Sequence, residues 1–279
     1  MKTSLFYLPS VGSRADIEAG MAGLRRDLYQ QMLAELSEQA RLADELGYDS
    51  ISFTEHHFHI EGFELSNNPV LLDLFVGMQT TRLRVGQLGI VLPAHNPIRV
   101  AEDIAMLDHM TAGRANAGFA RGYQRRWVDT MAQQTHGIHG ALPHQHDAID
   151  AANRAAFEEN VRIIKQAWTQ DLVDFQGDYW KVPVQGTPWD LEASTRYGQG
   201  IEDGMVRAVG VVPKPLQQPT RRCSNRSPRP SGRFAGAPGR ASHRCCRRCT
   251  RRWSGRWSRS TPTSRAARSA RASVCYATW

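Results

Sequence analysis

Apolar and polar residues recur in blocks that predict strands alternating with helices over the first 170 residues. Short apolar runs predict four strands, at 5–8, 48–54, 83–92 and 115–120. Apolar positions at helical spacing predict four helices, at 28–46, 69–78, 97–112 and 151–168. Gly47 suits a helix end, and Asn96-Pro97 suits a helix start. The stretch 122–146 is rich in Gly, His and Gln, and we expect a long loop there.

This alternation predicts an α/β fold with a parallel sheet, either a barrel or a doubly wound sheet. No Gly-x-Gly-x-x-Gly follows the first strand, which counts against a dinucleotide-binding Rossmann fold. In a barrel, the chemistry gathers at the carboxyl ends of the strands. Those ends are Glu55-His56-His57, the segment after Gly89, and Arg121-Gly122-Tyr123.

The composition changes near Pro219, so averages over the whole chain mislead. The 279 residues carry a net charge of +8, which by itself would suggest a nucleic-acid or membrane-surface partner. Residues 220–279, however, hold 16 Arg, no Lys, no acid and no Leu, Ile or Met, together with all five cysteines. Subtracting those 16 charges leaves −8 for residues 1–219. We therefore predict one large domain at 1–219 and a distinct tail at 220–279.

The apolar runs are too short to cross a membrane, and we expect no membrane partner. The first nine residues are too short and too quickly polar for a signal peptide. A cysteine-free domain without such a signal is typical of the cytoplasm, which is the location we predict.

Two strand ends carry side chains suited to chemistry. A histidine after the second strand, His56 or His57, can exchange a proton near neutral pH, or the pair can simply cap the strand. Adjacent side chains on an extended segment point to opposite faces, so at most one should face a barrel mouth. Arg121 beside Gly122 suits a phosphate, although a salt bridge to a neighbouring loop explains it equally well.

Two further groups receive structural interpretations. Asp108 and Arg114 flank a turn and are expected to pair across it. Four histidines, His136, His139, His144 and His146, share one loop and could bind a metal. Their spacing matches no zinc pattern, so a mobile loop over a site is the favoured interpretation, and we predict no metal site.

Several segments together resemble the luciferase-like flavin-dependent monooxygenases, which include bacterial luciferase. The resemblance covers residues 1–168 and, more loosely, continues to 219. It rests on the order and spacing of motifs that are individually weak: Glu55-His56-His57-Phe58, Gly89-Ile90-Val91-Leu92-Pro93, Pro97-Ile98-Arg99-Val100-Ala101-Glu102-Asp103, Leu107-Asp108-His109-Met110, Gly113-Arg114 and Arg121-Gly122.

The resemblance implies a (β/α)8 TIM barrel that uses reduced flavin, FMNH2, with coenzyme F420 the less favoured cofactor. O2 and the flavin would give a flavin hydroperoxide that oxidises a small organic substrate. His56 matches the family's catalytic histidine, and Arg121, with Gly122 and Tyr123 after it, matches the flavin-phosphate segment. Leu88-Gly89 matches a non-proline cis peptide under the flavin ring. A separate flavin reductase and a homo- or hetero-oligomer are also implied.

Some positions depart from the family pattern. Ala120 stands where bacterial luciferase has a reactive cysteine, so light emission is not expected. Tyr123 replaces a smaller apolar residue and is expected to change the substrate pocket. The His-rich loop and the stretch 174–202 are interpreted as active-site insertions that set the choice of substrate.

The tail is interpreted as the product of a one-nucleotide deletion near codon 219. The family continues after Gln218-Pro219 with His-Pro-Pro and an apolar strand, the fifth of the barrel. One added base in front of codon 220 allows the tail to be decoded as His-Pro-Pro-Val-Phe-Gln-Pro-Phe. We call the product of that corrected coding sequence the frame-restored protein. Two other interpretations of the tail are a metal site and disulfides at Cys245, Cys246 and Cys249. The frameshift is favoured over both, because the sequence offers neither a matching set of metal ligands nor a secretory signal.

The chain as written should therefore hold only the first half of the barrel, with open strand edges. We expect residues 220–279 to be disordered, the half-barrel to aggregate or be degraded, and the chain to be inactive. Two alternatives remain open: nucleic-acid binding through the basic tail, and a non-catalytic flavin-binding relative. Because nothing in the tail orders its aromatic residues, no nucleic-acid partner is expected.

Overall fold

The computed structural model describes residues 2–135 and 137–217, and the backbone of 274–277. Its helices are α1 Arg14–Glu18, α2 Arg26–Glu45, α3 Pro69–Gly77, α4 Pro97–Met110, α5 Arg125–Met131, α6 Ala148–Thr169 and α7 Glu192–Tyr197. Its strands are β1 Ser4–Tyr7, β2 Ser50–Phe53, β3 Arg84–Gln87, β4 Ile90–Val91, β5 Ala115–Ala120, β6 Phe175–Gln176, β7 Lys181–Val182, β8 Ile201–Glu202, β9 Met205–Val206 and β10 Val274–Ala277.

The main sheet is parallel in the order β1-β2-β3-β5, and β4 also pairs with β5 in parallel. Helices α2, α3 and α4 connect consecutive strands of this sheet. Four parallel strands joined by helices correspond to the first half of a (β/α)8 barrel, in which each strand is followed by a helix. The α/β prediction is thereby confirmed.

Local sequence explains where the connecting helices begin. Asn68 and Asn96 each accept backbone N–H groups at the start of α3 and α4, and proline follows both of them. Asp147 caps α6 in the same way. The apolar faces of these helices cover the sheet in two clusters. One joins Phe119 to Trp168, and the other surrounds Phe53. The helices therefore hold the strand ends in fixed register.

Two local predictions of secondary structure were wrong. The predicted strand 83–92 is divided into β3 and β4, because a cis peptide between Leu88 and Gly89 turns the chain. The predicted loop 122–146 contains α5, whose Trp127 and Val128 are buried in a third cluster. Periodicity gave no signal for so short a helix.

Asp108 and Arg114 do not pair with each other. Asp108 instead accepts two hydrogen bonds from Gln217, one from the backbone N and one from Nε2, both at 2.7 Å. Arg114 donates to the carbonyls of Gly77 and Leu83, also at 2.7 Å. Each group thus ties together chain segments that are far apart in sequence, which spacing around a single turn could not indicate.

The tail is described only in part. Strand β10 pairs antiparallel with β5. The expectation of an open strand edge at β5 was therefore wrong. At the other edge, β1 has β2 as its one strand partner in the described part of the chain. The remaining predictions for 220–279 lie outside the described residues. Within the described part, no helix has both the length and the apolar character needed to cross a bilayer.

Candidate functional site

The carboxyl ends of strands β1 to β5 lie along one edge of the sheet. Register pairs Tyr7 with Phe53 and Phe53 with Gln87, and places Val91 beside Ala120. Glu55 and His56 follow the end of β2 after Thr54, and Arg121 follows β5 directly. The residues expected at the site from sequence are therefore brought to the same edge, as the barrel rule requires.

A buried carboxylate, Glu55, fastens these strand ends together. Its Oε2 accepts the backbone N–H of Val91 at 2.7 Å, and its Oε1 lies 2.6 Å from His95 Nε2 and 3.0 Å from His57 Nε2. Burial opposes ionisation of Glu55, but the charge of His95 and the three hydrogen bonds outweigh it and lower the pKa to about 2. Burial likewise disfavours charge on His95, yet the carboxylate raises the pKa of His95.

The two adjacent histidines have different partners. His56 is 8% exposed, and its Nδ1 lies 3.5 Å from Glu64 Oε2. Burial lowers the pKa of His56 below its usual value, although Glu64 acts in the opposite direction. His57 contacts Glu55 and packs its ring 4.8 Å from that of Trp127. His57 is thus held by the buried carboxylate of Glu55, whereas burial favours the neutral form of His56.

The chain passes very close to itself at Gly89. The preceding Leu88–Gly89 peptide is cis, as the resemblance implied. A Cβ on Gly89 would lie 2.6 Å from the backbone of Gly118 and Phe119. A side chain there has no room, because the backbones of β4 and β5 pack directly against each other at this point.

Arg121 is partly neutralised by a residue that the sequence did not point to. Its Nη1 donates to Asp150 Oδ1, in the first turn of α6, at 2.7 Å. Its buried Nε has no hydrogen-bond partner among the described residues. A salt bridge is therefore present, as in the alternative interpretation, although its partner lies in helix α6 and not in a loop, and the Nε donor is left unpaired within the described part of the chain.

Gly122 and Tyr123 follow Arg121. Gly122 has φ +78°, and a Cβ there would meet Val91 at 2.5 Å and Val128 at 2.9 Å. Only glycine fits this turn. Tyr123 is partly exposed, and its hydroxyl lies 3.5 Å from Gln124 Nε2. The turn holds the Arg121 backbone in place, because Asn153 donates to the Arg121 carbonyl at 3.0 Å.

The His-rich loop does not form a shared ligand set within its described residues. His139 lies 3.0 Å from Asp129, while His144 and His146 are exposed, and His136 lies outside the described residues. Three potential ligands converge elsewhere, at His56, His59 and Glu64. The last two carried no sequence signal except their proximity to His56.

Comparison with known proteins gives a clear family match. The sequence model of the luciferase-like monooxygenase family matches residues 11–209. The alkanal monooxygenase alpha chain of Photorhabdus laumondii is 36% identical over 92 residues, which are 33% of this chain and 25% of that protein. The oxygenase component of the flavin-dependent trigonelline monooxygenase of Acinetobacter baylyi is 29% identical over 154 residues, 55% of this chain and 38% of that one.

A solved structure supports the fold. The oxygenating constituent of 3,6-diketocamphane monooxygenase from the CAM plasmid of Pseudomonas putida, in complex with FMN, superposes with a TM-score of 0.50 at 22% identity. The match covers 65% of this chain and 44% of that one. This chain thus spans less than half the length of these three proteins.

Proposed function

The chain belongs to the luciferase-like monooxygenase family, and on that premise we propose that its frame-restored form is a flavin-dependent monooxygenase. It would use FMN reduced by a separate reductase, together with O2, to oxidise a small organic substrate. When bound, the reduced flavin supplies the electrons that activate O2. We prefer FMN to coenzyme F420, because Arg121 offers a donor suited to a terminal phosphate.

The observation that carries this proposal is the close approach of the β4 and β5 backbones at Gly89 and Gly118, together with the Arg121 Nε that has no hydrogen-bond partner among the described residues. Both features lie at the carboxyl edge of the sheet. Because Gly89 and Gly118 carry no side chain, none would obstruct a flat isoalloxazine ring placed over this backbone, and a phosphate suits a guanidinium anchored by Asp150. The residues present therefore fit FMN: Leu88, Gly89, Arg121, Gly122 and Tyr123 would hold it.

His56 is proposed as the catalytic residue. Its lowered pKa keeps the imidazole neutral at neutral pH, so the ring can accept a proton from a reacting group. Glu64, 3.5 Å from Nδ1, can stabilise the charge that results. His57 is not assigned this role, because its ring is held by Glu55.

Two partner assignments follow from names among the relatives. One relative is an oxygenase component, which supports a separate reductase here. Another is an alpha chain, which supports assembly with a second subunit. The substrate is proposed only as a small organic molecule.

We also propose that residues 220–279 are read from a shifted frame, and that the chain as written does not turn over substrate. The described residues supply four parallel strand positions of the eight that a barrel needs, and β10 adds an antiparallel strand beside β5. The stretch 220–279 has no Leu, Ile or Met with which to build the rest. The nucleotide sequence around codon 219 tests this directly.

The experiment for the proposed function compares the frame-restored protein with its His56→Ala variant. FMN binding is followed by flavin fluorescence, and oxygenation by stopped-flow return of oxidised-flavin absorbance after reduced enzyme meets O2. We expect the two proteins to bind FMN with equal affinity. Only the protein that retains His56 should reoxidise the flavin slowly and form oxidised product. Unchanged turnover in the variant would remove His56 from the mechanism. FMN binding without any effect on reoxidation would indicate a non-catalytic flavin-binding relative.

A further inference from the structure

Among the described residues, three potential metal ligands away from Glu55 lie close together: His56, His59 and Glu64, which we call the His–Glu cluster. Their ligand atoms all lie within 4.8 Å of one another. His56 and His59 are 8% and 7% exposed, and the Glu64 side chain is 24% exposed. Two imidazoles and a carboxylate are a common ligand set for Zn²⁺ and other first-row divalent metals.

The backbone after β2 is bent so that these three side chains converge. Phe58 and Glu64 have φ of 64° and 55°, and Gly62 has φ of 106°. Two tight turns close the segment, with Ile60 N–H donating to the Phe58 carbonyl and Gly62 N–H to the His59 carbonyl. Non-glycine residues with positive φ are uncommon and often mark functional sites. The segment is thus built around the cluster.

Two of the three distances between ligand atoms in the cluster are close to those expected around a shared cation. His56 Nδ1 lies 3.5 Å and His59 Nε2 lies 3.6 Å from the same oxygen, Glu64 Oε2. Charge-assisted hydrogen bonds are shorter, about 2.7–2.9 Å. Ligands about 2.0–2.2 Å from tetrahedral Zn²⁺ would be roughly 3.4 Å from each other. Moreover, the buried His56 Nδ1 has no hydrogen-bond partner among the described residues.

A neighbouring amide supports this arrangement. Gln124 Nε2 donates to Glu64 Oε2 at 3.1 Å, and Gln124 Oε1 lies 3.0 Å from His59 Nε2 and 3.1 Å from Trp127 Nε1. If His59 turned its Nε2 to a metal, Gln124 Oε1 would still accept from Trp127. Outer hydrogen bonds of this kind orient metal ligands.

We propose that His56, His59 and Glu64 form a binding site for one divalent transition metal ion, with Zn²⁺ the best match to the ligands. The site goes beyond the proposed function, because no flavin or substrate is needed to form it. A metal on Nδ1 of His56 would occupy an atom of the proposed catalytic imidazole. Metal-bound and proton-accepting states of that atom therefore exclude each other.

The test titrates Co²⁺ into the full 279-residue chain and into the frame-restored protein, which shares the three ligands. Four-coordinate Co²⁺ gives intense visible absorption bands, and added Zn²⁺ should remove them by displacement. We expect one Co²⁺ per chain. His59→Gln and Glu64→Gln should each weaken binding by at least about tenfold. Circular dichroism establishes whether each variant is folded. If only one of the two variants folds, its Co²⁺ affinity alone is enough to test the proposal.

The matched control is His144→Gln with His146→Gln, which removes two exposed histidines from another loop. This control should bind Co²⁺ as the unchanged protein does. The proposal is wrong if neither protein shows the absorption bands. It is also wrong if folded His59→Gln binds normally, or if only the His144/His146 control loses binding.

Discussion

Replacing the buried carboxylate Glu55 with glutamine tests whether it holds the site edge together. Its two oxygens accept from Val91 N, His95 Nε2 and His57 Nε2 at 2.6–3.0 Å. In Glu55→Gln, one oxygen becomes an amide group that cannot accept. A hydrogen bond to a charged group contributes about 1.5–3 kcal/mol to stability. Because one such bond is lost, we expect the free energy of unfolding to fall by about that amount.

The size of this fall should depend on pH in a defined way. The pKa of Glu55 is depressed to about 2 in the fold, so its contribution is present above about pH 4.5 and is lost as pH falls toward 2. The pKa of His95 is raised, so its contribution is present below about pH 6.5 and is lost as pH rises through the raised value. The difference between the two proteins should therefore peak at about pH 4.5–6.5.

The assay is urea unfolding of the frame-restored protein, followed by far-ultraviolet circular dichroism from pH 3 to about 8. The matched control is Glu61→Gln. The pKa of Glu61 is also lowered to about 2 by its bond to Arg126, but that ion pair is exposed to solvent. Exposed pairs contribute little, so the control should change far less. Equal losses in the two variants, or a Glu55→Gln effect independent of pH, would refute the reasoning.

Two further predictions concern the flavin-facing surface. Arg121→Ala should weaken FMN binding by about 1–3 kcal/mol, about 5–150-fold, and leave riboflavin binding unchanged, as measured by fluorescence titration. The exposed Arg126→Ala serves as control, and equal affinity of the unmutated protein for FMN and riboflavin would contradict the phosphate role. Gly89→Ala should lower the unfolding free energy by about 1–3 kcal/mol, because its Cβ would meet the Gly118 backbone at 2.6 Å. Gly210→Ala, whose nearest contact would be 3.3 Å, should cost less, and a reversed order would contradict the close approach.

The elements with strong local signals were predictable from sequence. Asn96-Pro97 marked the start of α4, and the apolar run 115–120 coincides with β5. The strand ends then followed from the barrel rule, which placed Glu55, His56 and Arg121 at one edge. The resemblance to the family also predicted the cis peptide between Leu88 and Gly89. The hydrophobic pattern alone predicted one continuous strand through this position.

Contacts between distant segments could not be predicted in the same way. Asp150 lies 29 residues from Arg121, and its role depends on where α6 begins relative to β5. The three bonds of Glu55 depend on the turn between β3 and β4. His59 and Glu64 meet His56 only because residues between them adopt positive φ, a property that their sequence did not signal.

The most direct test of the central claim is a stopped-flow comparison of flavin reoxidation. Reduced FMN is mixed with O2 in the presence of the frame-restored protein, of the 279-residue chain, or of buffer alone. We predict slowed reoxidation with the frame-restored protein, and reoxidation as fast as that of free flavin with the chain as written. Slowed reoxidation by the 279-residue chain would contradict the need for the missing strands. Reoxidation as fast as free flavin with both proteins would contradict the assignment of monooxygenase chemistry to this site.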